Sequence, residues 1–287
     1  MNYIKPADVL TAMIEAGTAK AKLSAQQMVI RGALAGAILA CATTLAFTFT
    51  AQTKLAITGA LIFPVGFVMI VLLGLELVTG SFALIPLSVL EKKASFASML
   101  SNYGWVIFGH LLGCAVYAGL YLLTITKMGT DLSNPMAAVL IQASEAKTIA
   151  YKQMGGDGMA LVVIKAVLCN WMVTLGAVMA LTSSSTTGKI VAMWLPILTF
   201  FAQSFEHAVV NMFVIPAGMM LGANVSVADW WLWNQLPVLI GNCIGGVCFT
   251  GLLFYAAQKG IKRTRQRPAA QSATASGGDA IAAEQSR

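Results

Sequence analysis

Six long apolar stretches dominate this 287-residue sequence and constrain its fold more than any other feature. They lie near residues 29–50, 56–90, 100–126, 159–182, 190–221 and 236–258. A helix that crosses the hydrocarbon core of a bilayer needs about 20 apolar residues. The pattern therefore predicts an all-α integral membrane protein with six transmembrane helices. The second and fifth stretches are too long for one straight crossing and carry polar, Gly or Pro interruptions, which predicts two broken helices.

Charged residues are few, and their placement predicts an orientation. They make up 10% of the chain, against about 25% in soluble domains, which excludes an ordinary cytosolic protein. Of the 18 Lys and Arg residues, Lys54, Lys127, Lys147 and Lys152 fall in connections on one side and Lys165 lies within a span, which leaves thirteen on the other side. The positive-inside rule then places both termini in the cytoplasm, as expected for the cell (inner) membrane. The net charge of +7 thus indicates topology, and no nucleic-acid partner is expected.

The two ends of the chain differ from the apolar middle. Residues 1–28 lack the continuous apolar core of a signal peptide. They carry a helical stripe at positions 9, 10, 13, 14 and 17, opposite Asp8, Glu15 and Lys20, which predicts an amphipathic helix on the cytoplasmic face. Residues 29–260 form the predicted six-helix pore domain. Residues 261–287 have no apolar periodicity and are predicted to be a disordered cytoplasmic tail.

The two halves of the chain resemble each other. Glu76-Leu-Val-Thr-Gly-Ser-Phe-Ala-Leu-Ile-Pro86 aligns without gaps on Glu206-His-Ala-Val-Val-Asn-Met-Phe-Val-Ile-Pro216, and a glycine pattern at 108–119 recurs at 240–251. The offsets of 130 and 132 indicate duplication of a three-helix unit. Since three is odd, the second copy enters the membrane from the opposite face and gives an inverted repeat. Interrupted spans at matching places in two inverted halves indicate a substrate site near the midplane.

Five ionisable residues lie within the predicted spans: Glu76, His110, Lys165, Glu206 and His207. Each costs about 2.5–3.5 kcal/mol at the bilayer centre, so each needs a partner, water or a function. Glu76 and Glu206 open the two breaks. They are either proton carriers or, as we favour, structural acceptors for backbone amides that the breaks leave unpaired.

His207 has no histidine at the matching position, Leu77, so symmetry does not explain it. It is either a buried imidazole with ordinary partners or, as we favour, a group that offers an N–H or a proton to a small anion. Lys165 either snorkels to an interface or, in our interpretation, lies in the outer vestibule. For His110, we favour a hydrogen-bonded helix contact over a pore role.

Asn170 and Asn242 are weighed evenly between the pore and a contact between helices. No nucleotide, hydrolase or metalloprotease motif is present. The sequence therefore predicts no enzyme activity, no cofactor and no metal site.

Three segments together resemble the formate/nitrite transporter family. They are Lys5-Pro-Ala-Asp-Val-Leu-Thr-Ala-Met-Ile-Glu-Ala-Gly-Thr-Ala-Lys20, Leu168-Cys-Asn-Trp-Met-Val173 and Ser204-Phe-Glu-His-Ala-Val-Val-Asn-Met-Phe-Val-Ile-Pro216. The resemblance covers residues 3 to about 260. It implies an aquaporin-like protomer with broken second and fifth helices, assembled as a homopentamer with one pore in each protomer.

The resemblance also implies roles for particular residues. His207 matches the family's central pore histidine, and Thr79 matches its hydrogen-bonding threonine. Asn170 and Asn242 match polar pore residues, and Lys165 matches a basic vestibule position. Constriction residues follow by distance from these motifs: Phe67 and Phe200 on the cytoplasmic side, and Phe63, Val78 and Val173 on the outer side, with Leu77 beside them.

Two departures from the family pattern concern His110, where the family usually has Asn, and the Leu77-Val-Thr-Gly-Ser81 loop. The function expected is movement of a small monovalent anion, with or without a proton; formate is the expected anion and nitrite is the alternative. A neutral-solute channel of aquaporin type is the rival from another class, but the paired Asn-Pro-Ala loops of aquaporins are missing.

Overall fold

The computed structural model describes residues 3–265, with side chains described as far as Lys259, and its regular elements are helices apart from one bridge between Tyr3 and Ser183. The helices are α1 (Pro6–Ala21), α2 (Ala25–Thr53), α3 (Ala56–Ile62), α4 (Pro64–Leu72), α5 (Val78–Leu90), α6 (Phe96–Ile125), α7 (Pro135–Ala146), α8 (Ile149–Gln153), α9 (Gly156–Ala180), α10 (Thr186–Ala202), α11 (Ala208–Met220), α12 (Val227–Trp230), α13 (Leu236–Ile244) and α14 (Leu253–Arg265). π-Helical turns at Trp231–Gln235 and Gly245–Leu252 join the last three. Within the predicted tail, α14 reaches Arg265, and 266–287 lie outside the described residues.

Four of the described helices are long and apolar enough to cross a bilayer. They are α2, α6, α9 and the combined helix Val227–Lys259, with 29, 30, 25 and 33 residues. At 1.5 Å per residue even the shortest is about 38 Å long, against a hydrocarbon core of about 30 Å. Four shorter apolar helices accompany them: Ala56–Leu72, Val78–Leu90, Thr186–Ala202 and Ala208–Met220. The chain is a multi-pass membrane protein.

Glycines bring two pairs of long helices into backbone contact. A Cβ at Gly113 on α6 would lie 1.9 Å from the Ala33 carbonyl oxygen on α2. In the second half, a Cβ at Gly245 would lie 2.4 Å from the Val167 carbonyl oxygen on α9. Only glycine permits this approach, as the four-residue glycine spacing predicts.

In each half of the chain a further helix also packs against the buried apolar helix. α1 packs on α5, and α7 packs on α11. The Ser88 hydroxyl on α5 donates to the Ile14 carbonyl on α1 at 2.7 Å, and the Ser144 hydroxyl on α7 donates to the Ile215 carbonyl on α11 at 3.1 Å. The buried face of α1 is the stripe at positions 9, 10, 13, 14 and 17, and it lies against protein.

Short non-helical segments precede α5 and α11. Residues 73–77 separate α4 from α5, and residues 203–207 separate α10 from α11. Each contains one residue with positive φ, Gly74 at 63° and Ser204 at 52°, which turns the chain sharply. Each ends in an extended N-cap residue, Leu77 or His207. The N-termini of α5 and α11 therefore begin inside the protein, among buried residues.

Candidate transport site

His207 and Thr79 meet where α5 and α11 begin. The Nε2 atom of His207 lies 3.1 Å from the Thr79 hydroxyl oxygen. The backbone N–H of Val210 donates to Nδ1 of the same ring at 3.3 Å. Because a backbone N–H can only donate, Nδ1 is the acceptor, and the neutral ring carries its proton on Nε2. His207 therefore donates to Thr79, and the Thr79 hydroxyl hydrogen is directed to another acceptor.

Both side chains of this pair are removed from bulk water. Thr79 is fully buried, and His207 is 3% exposed. The His207 ring stacks on Phe200, with centroids 5.6 Å apart and planes 21° apart. The pair combines a stacked imidazole with a hydroxyl at two helix N-termini, which carry partial positive charge. Such a place favours an anion.

Side chains from neighbouring helices hold the first N–H group of each buried helix. The Asn242 side-chain oxygen accepts from the Ala208 N–H at 2.9 Å, at the start of α11. His110 Nε2 accepts from the Val78 N–H at 3.1 Å, at the start of α5. His110 and Asn242 are 132 positions apart, matching the repeat. The interpretation of His110 as a hydrogen-bonded helix contact agrees with this geometry.

The two asparagines differ in how fully they are bonded. The Asn242 amide also donates to the carbonyls of Ala166 and Glu206, at 2.8 and 2.9 Å. The oxygen and the NH₂ group of the Asn242 side chain are thus both occupied by hydrogen bonds within the protein. Asn170 donates to the backbone oxygens of Thr79 at 3.0 Å and of Asn242 at 2.6 Å, whereas its own side-chain oxygen is buried without a partner in the described structure. The Asn170 side-chain oxygen can therefore accept a further hydrogen bond.

The predicted constriction residues are all buried, and the structure groups them in its own way. Phe200 contacts Phe63 edge-on at 5.7 Å, and Phe63 stacks on Phe201 at 4.0 Å. Phe63 and Phe200, predicted for opposite constrictions, are therefore in contact with each other, and Phe200 also stacks on His207. Phe67 instead lines a cavity of about 350 Å³, together with Leu77. The exposed fractions of the set are 0–5% for Phe63, Phe67, Leu77, Val78, Val173 and Phe200.

Glu76 and Glu206 form buried ion pairs with lysines. Lys20 of α1 lies 2.9 Å from Glu76, and Lys147 of α7 lies 2.8 Å from Glu206. Both glutamate side chains are 3% exposed. The backbone partners expected from the sequence are wrong: an ammonium group satisfies each carboxylate better than freed amides, because it neutralises the buried charge.

The surroundings of the two carboxylates are unequal. Glu206 also accepts from Tyr151 at 2.9 Å and from Asn211 at 2.8 Å. The second oxygen of Glu76 is buried without a partner among the described residues. Lys165 lies 3.4 Å from the Tyr151 hydroxyl, which places it next to the Glu206 cluster.

The lysine partners were missed in the sequence, although a signal was present. Ile14-Glu-Ala-Gly-Thr-Ala-Lys20 aligns with Ile141-Gln-Ala-Ser-Glu-Ala-Lys147 at an offset of 127, with identity at the Ile, both Ala and the Lys. The repeat therefore includes α1 and α7. Asn102 and Asn234 extend the match, since each donates to the backbone oxygen of its lysine, at 3.1 and 2.8 Å.

Comparison with known proteins identifies the family. A family model for the formate/nitrite transporter matches residues 7–256. The uncharacterized transporter YrhG of Bacillus subtilis (strain 168) is 32% identical over 277 residues, covering 93% of this chain and 98% of YrhG. A probable formate transporter of Methanothermobacter thermautotrophicus is 32% identical over 272 residues, covering 88% of this chain and 97% of that protein.

A solved structure has the same fold. It is described as a pentameric formate channel with formate bound, and it matches with a TM-score of 0.65 and 24% identity, covering 81% of this chain and 97% of that one. These neighbours are channels and transporters rather than enzymes. The chain belongs to the formate/nitrite transporter family.

Proposed function

We propose that this protein moves formate across the cell (inner) membrane through a pore in each protomer that passes the His207–Thr79 pair. The observation that carries the proposal is the contact between these two side chains at 3.1 Å, where the N-termini of two buried helices meet. Nitrite, a small monovalent anion of the same charge, is the alternative substrate. The name of the Methanothermobacter relative favours formate.

The proposed architecture has six crossings. Four are the long helices, and the other two are interrupted pairs: α3–α4 followed by α5, and α10 followed by α11. The matched packing of the halves supports an inverted repeat of aquaporin type. Thirteen basic residues in one set of connections support cytoplasmic termini. Residues 1–28 then form a cytoplasmic helical unit, 29–260 the pore domain and 261–287 a tail.

The proposed assembly is a homopentamer embedded in lipid. The pentameric solved neighbour supports this assembly. Large apolar side chains also lie exposed along the outer helices, among them Leu120, Leu195 and Leu253 at 60–65%. Such surfaces require either lipid or a neighbouring protomer to cover them.

The mechanism proposed is partial dehydration followed by hydrogen bonding. The buried aromatic and aliphatic side chains around Phe63, Phe67 and Phe200 strip water from the anion and exclude larger solutes. At the centre the Thr79 hydroxyl, held by His207, donates to a carboxylate oxygen. A neutral imidazole stabilises the anion without trapping it. Where a proton crosses with the anion, the ring first takes that proton up from the aqueous phase, so that imidazolium and formate give neutral imidazole and formic acid. In this proposal Lys165 lies in the outer vestibule. Asn170, which contacts the Thr79 backbone, lines the pore next to the pair.

Uptake of isotopically labelled formate into proteoliposomes tests the proposal. Wild-type protein should carry formate, and His207→Asn should lower the initial rate at least tenfold because the Nε2 donor is lost. Added nitrite should compete, and its inhibition constant ranks the two anions. Undiminished formate uptake by His207→Asn would reject the role of the pair. Glycerol flux without formate flux would instead support the neutral-solute channel.

A further inference from the structure

We propose that His110 is a positioning residue for the transport site, and that only its neutral form with the proton on Nδ1 holds Thr79 against His207. The inference rests on the proposed function and adds a second titrating group to it. His110 does not touch the His207–Thr79 pair. It acts through the backbone at the start of α5.

The contacts of His110 fix its tautomer and link it to the site. The ring is completely buried. Its Nδ1 lies 2.8 Å from the Gly32 carbonyl oxygen, which can only accept, so Nδ1 carries the proton. Its Nε2 accepts from the N–H of Val78, the residue that precedes Thr79. The ring thereby ties the first turn of α5 to α2 and sets the position of the Thr79 hydroxyl.

The equivalent residue in the other half cannot titrate. Asn242 gives the Ala208 N–H an amide oxygen at 2.9 Å, and its NH₂ group supplies the donors on the other side. An amide provides acceptor and donors at every pH. Protonation of His110 would place an N–H on Nε2, facing the Val78 N–H, and convert an acceptor into a second donor. The start of α5 would then lose its cap at low pH, whereas the start of α11 keeps its own.

Few other charged or titratable groups face His110. Lys20 of α1 and His207 act on it electrostatically. Cys114 lies one turn further along α6, where its thiol contacts the Gly36 and Val209 carbonyls. From α2 and α5 the ring contacts backbone groups. The ion pair with Glu76 holds the Lys20 ammonium group in place, so the charge state of His110 itself is the variable element.

The first test does not depend on transport. The sequence contains two histidines, His110 and His207, so ¹⁵N-histidine labelling of protein without a histidine tag gives only two rings to assign. At neutral pH the ring nitrogen spectrum should show opposite tautomers, Nδ1–H for His110 and Nε2–H for His207. His110→Leu removes the acceptor for Val78 and should shift the His207 Nε2 signal. His110→Asn should leave that signal near its wild-type position.

The second test measures formate uptake by the same variants between pH 3.5 and pH 7.5, with the leak of formic acid into protein-free liposomes subtracted. His110→Asn should stay within about twofold of wild type at pH 7.5, because Asn242 shows that an amide at this position caps the helix. In wild type, the rate of formate uptake should fall at low pH with the same midpoint as the NMR titration of His110. His110→Asn should not show this fall. His110→Leu should reduce uptake about tenfold at pH 7.5 through loss of a buried hydrogen bond.

Tyr117→Phe is the matched control, since it removes another hydrogen bond between α6 and α2, the one to Thr44, two turns away from His110. It should leave both the His207 signal and the pH profile unchanged. An Nε2–H tautomer for His110, an unshifted His207 signal in His110→Leu, or superimposable pH profiles for wild type and His110→Asn would each overturn the proposal. Absence of formate uptake by wild type would overturn the proposed function, and the NMR spectra would then decide the role of His110 alone.

Discussion

Replacing Lys20 by Met removes the ammonium group that is paired with Glu76. The two side chains are 2.9 Å apart, and their exposed fractions are 20% and 3%. Loss of one partner from a buried ion pair costs about 3–5 kcal/mol, because the other charge stays buried and unpaired. The partial exposure of Lys20 favours the lower end, about 3 kcal/mol. At roughly 2–4 °C per kcal/mol for a domain of this size, the apparent Tm should fall by about 6–12 °C.

The equivalent change in the second half should be milder. Lys147→Met leaves Glu206 with hydrogen bonds from Tyr151 and Asn211, each worth about 1.5–3 kcal/mol when the acceptor is charged. Its apparent Tm should therefore fall by less than half as much as that of Lys20→Met. The difference follows from the unpartnered second oxygen of Glu76.

Thermal unfolding of detergent-solubilised protein, followed by tryptophan fluorescence, measures both variants. The decisive control is the double variant Lys20→Met with Glu76→Gln, which removes the unpaired charge. It should recover most of the lost stability. A Lys20→Met protein that melts within 1 °C of wild type, or a double variant no more stable than the single one, would refute the ion-pair reasoning.

Two further predictions concern helix contacts. Gly113→Ala should lower the apparent Tm by at least 6 °C, since its Cβ would lie 1.9 Å from the Ala33 carbonyl oxygen, whereas Gly119→Ala on the same helix meets nothing within 4 Å and should leave it unchanged; equal Tm values would contradict the close approach. The Tyr255 hydroxyl, the main cause, holds the pKa of Glu91 below its usual value. The contribution of the Glu91 carboxylate to the free energy of unfolding is therefore fully present above a pH of about 4.3. It is lost as the pH falls through the lowered pKa. Glu91→Gln should cost about 0.5 kcal/mol at pH 7 and progressively less as the pH falls below about 4.3; a gap in stability that stays constant as the pH falls would argue against this.

Much of the helical plan follows from the sequence because apolar length and glycine spacing are local signals. The stripe of α1, the glycine spacing of α6 and the positions of Glu76 and Glu206 at interruptions of the apolar stretches are visible without coordinates. The partners of those carboxylates are not, because Lys20 and Lys147 lie 56 and 59 residues away along the chain. An ion pair at that separation depends on tertiary packing, which hydropathy does not encode.

For the transport site too, the sequence indicates which residues take part but not how they contact each other. His207 and Thr79 are separated by 128 residues, and resemblance to a family indicated both, but not the direction of the hydrogen bond between them. That direction follows from the Val210 N–H, a backbone group. The grouping of Phe200 with Phe63 also needs the structure, since distance from a motif along the chain does not give the side of the membrane on which an aromatic ring lies.

The central claim is that the Thr79 hydroxyl, held by His207, donates to the anion as it passes. The matched pair Thr79→Ser and Thr79→Val tests it most directly, since serine keeps the hydroxyl and valine keeps the shape. In proteoliposomes at pH 7, Thr79→Ser should carry formate within about threefold of wild type, and Thr79→Val should be at least tenfold slower, as loss of a buried hydrogen bond of about 1.4 kcal/mol or more requires. Equal formate uptake by the two variants would contradict the account.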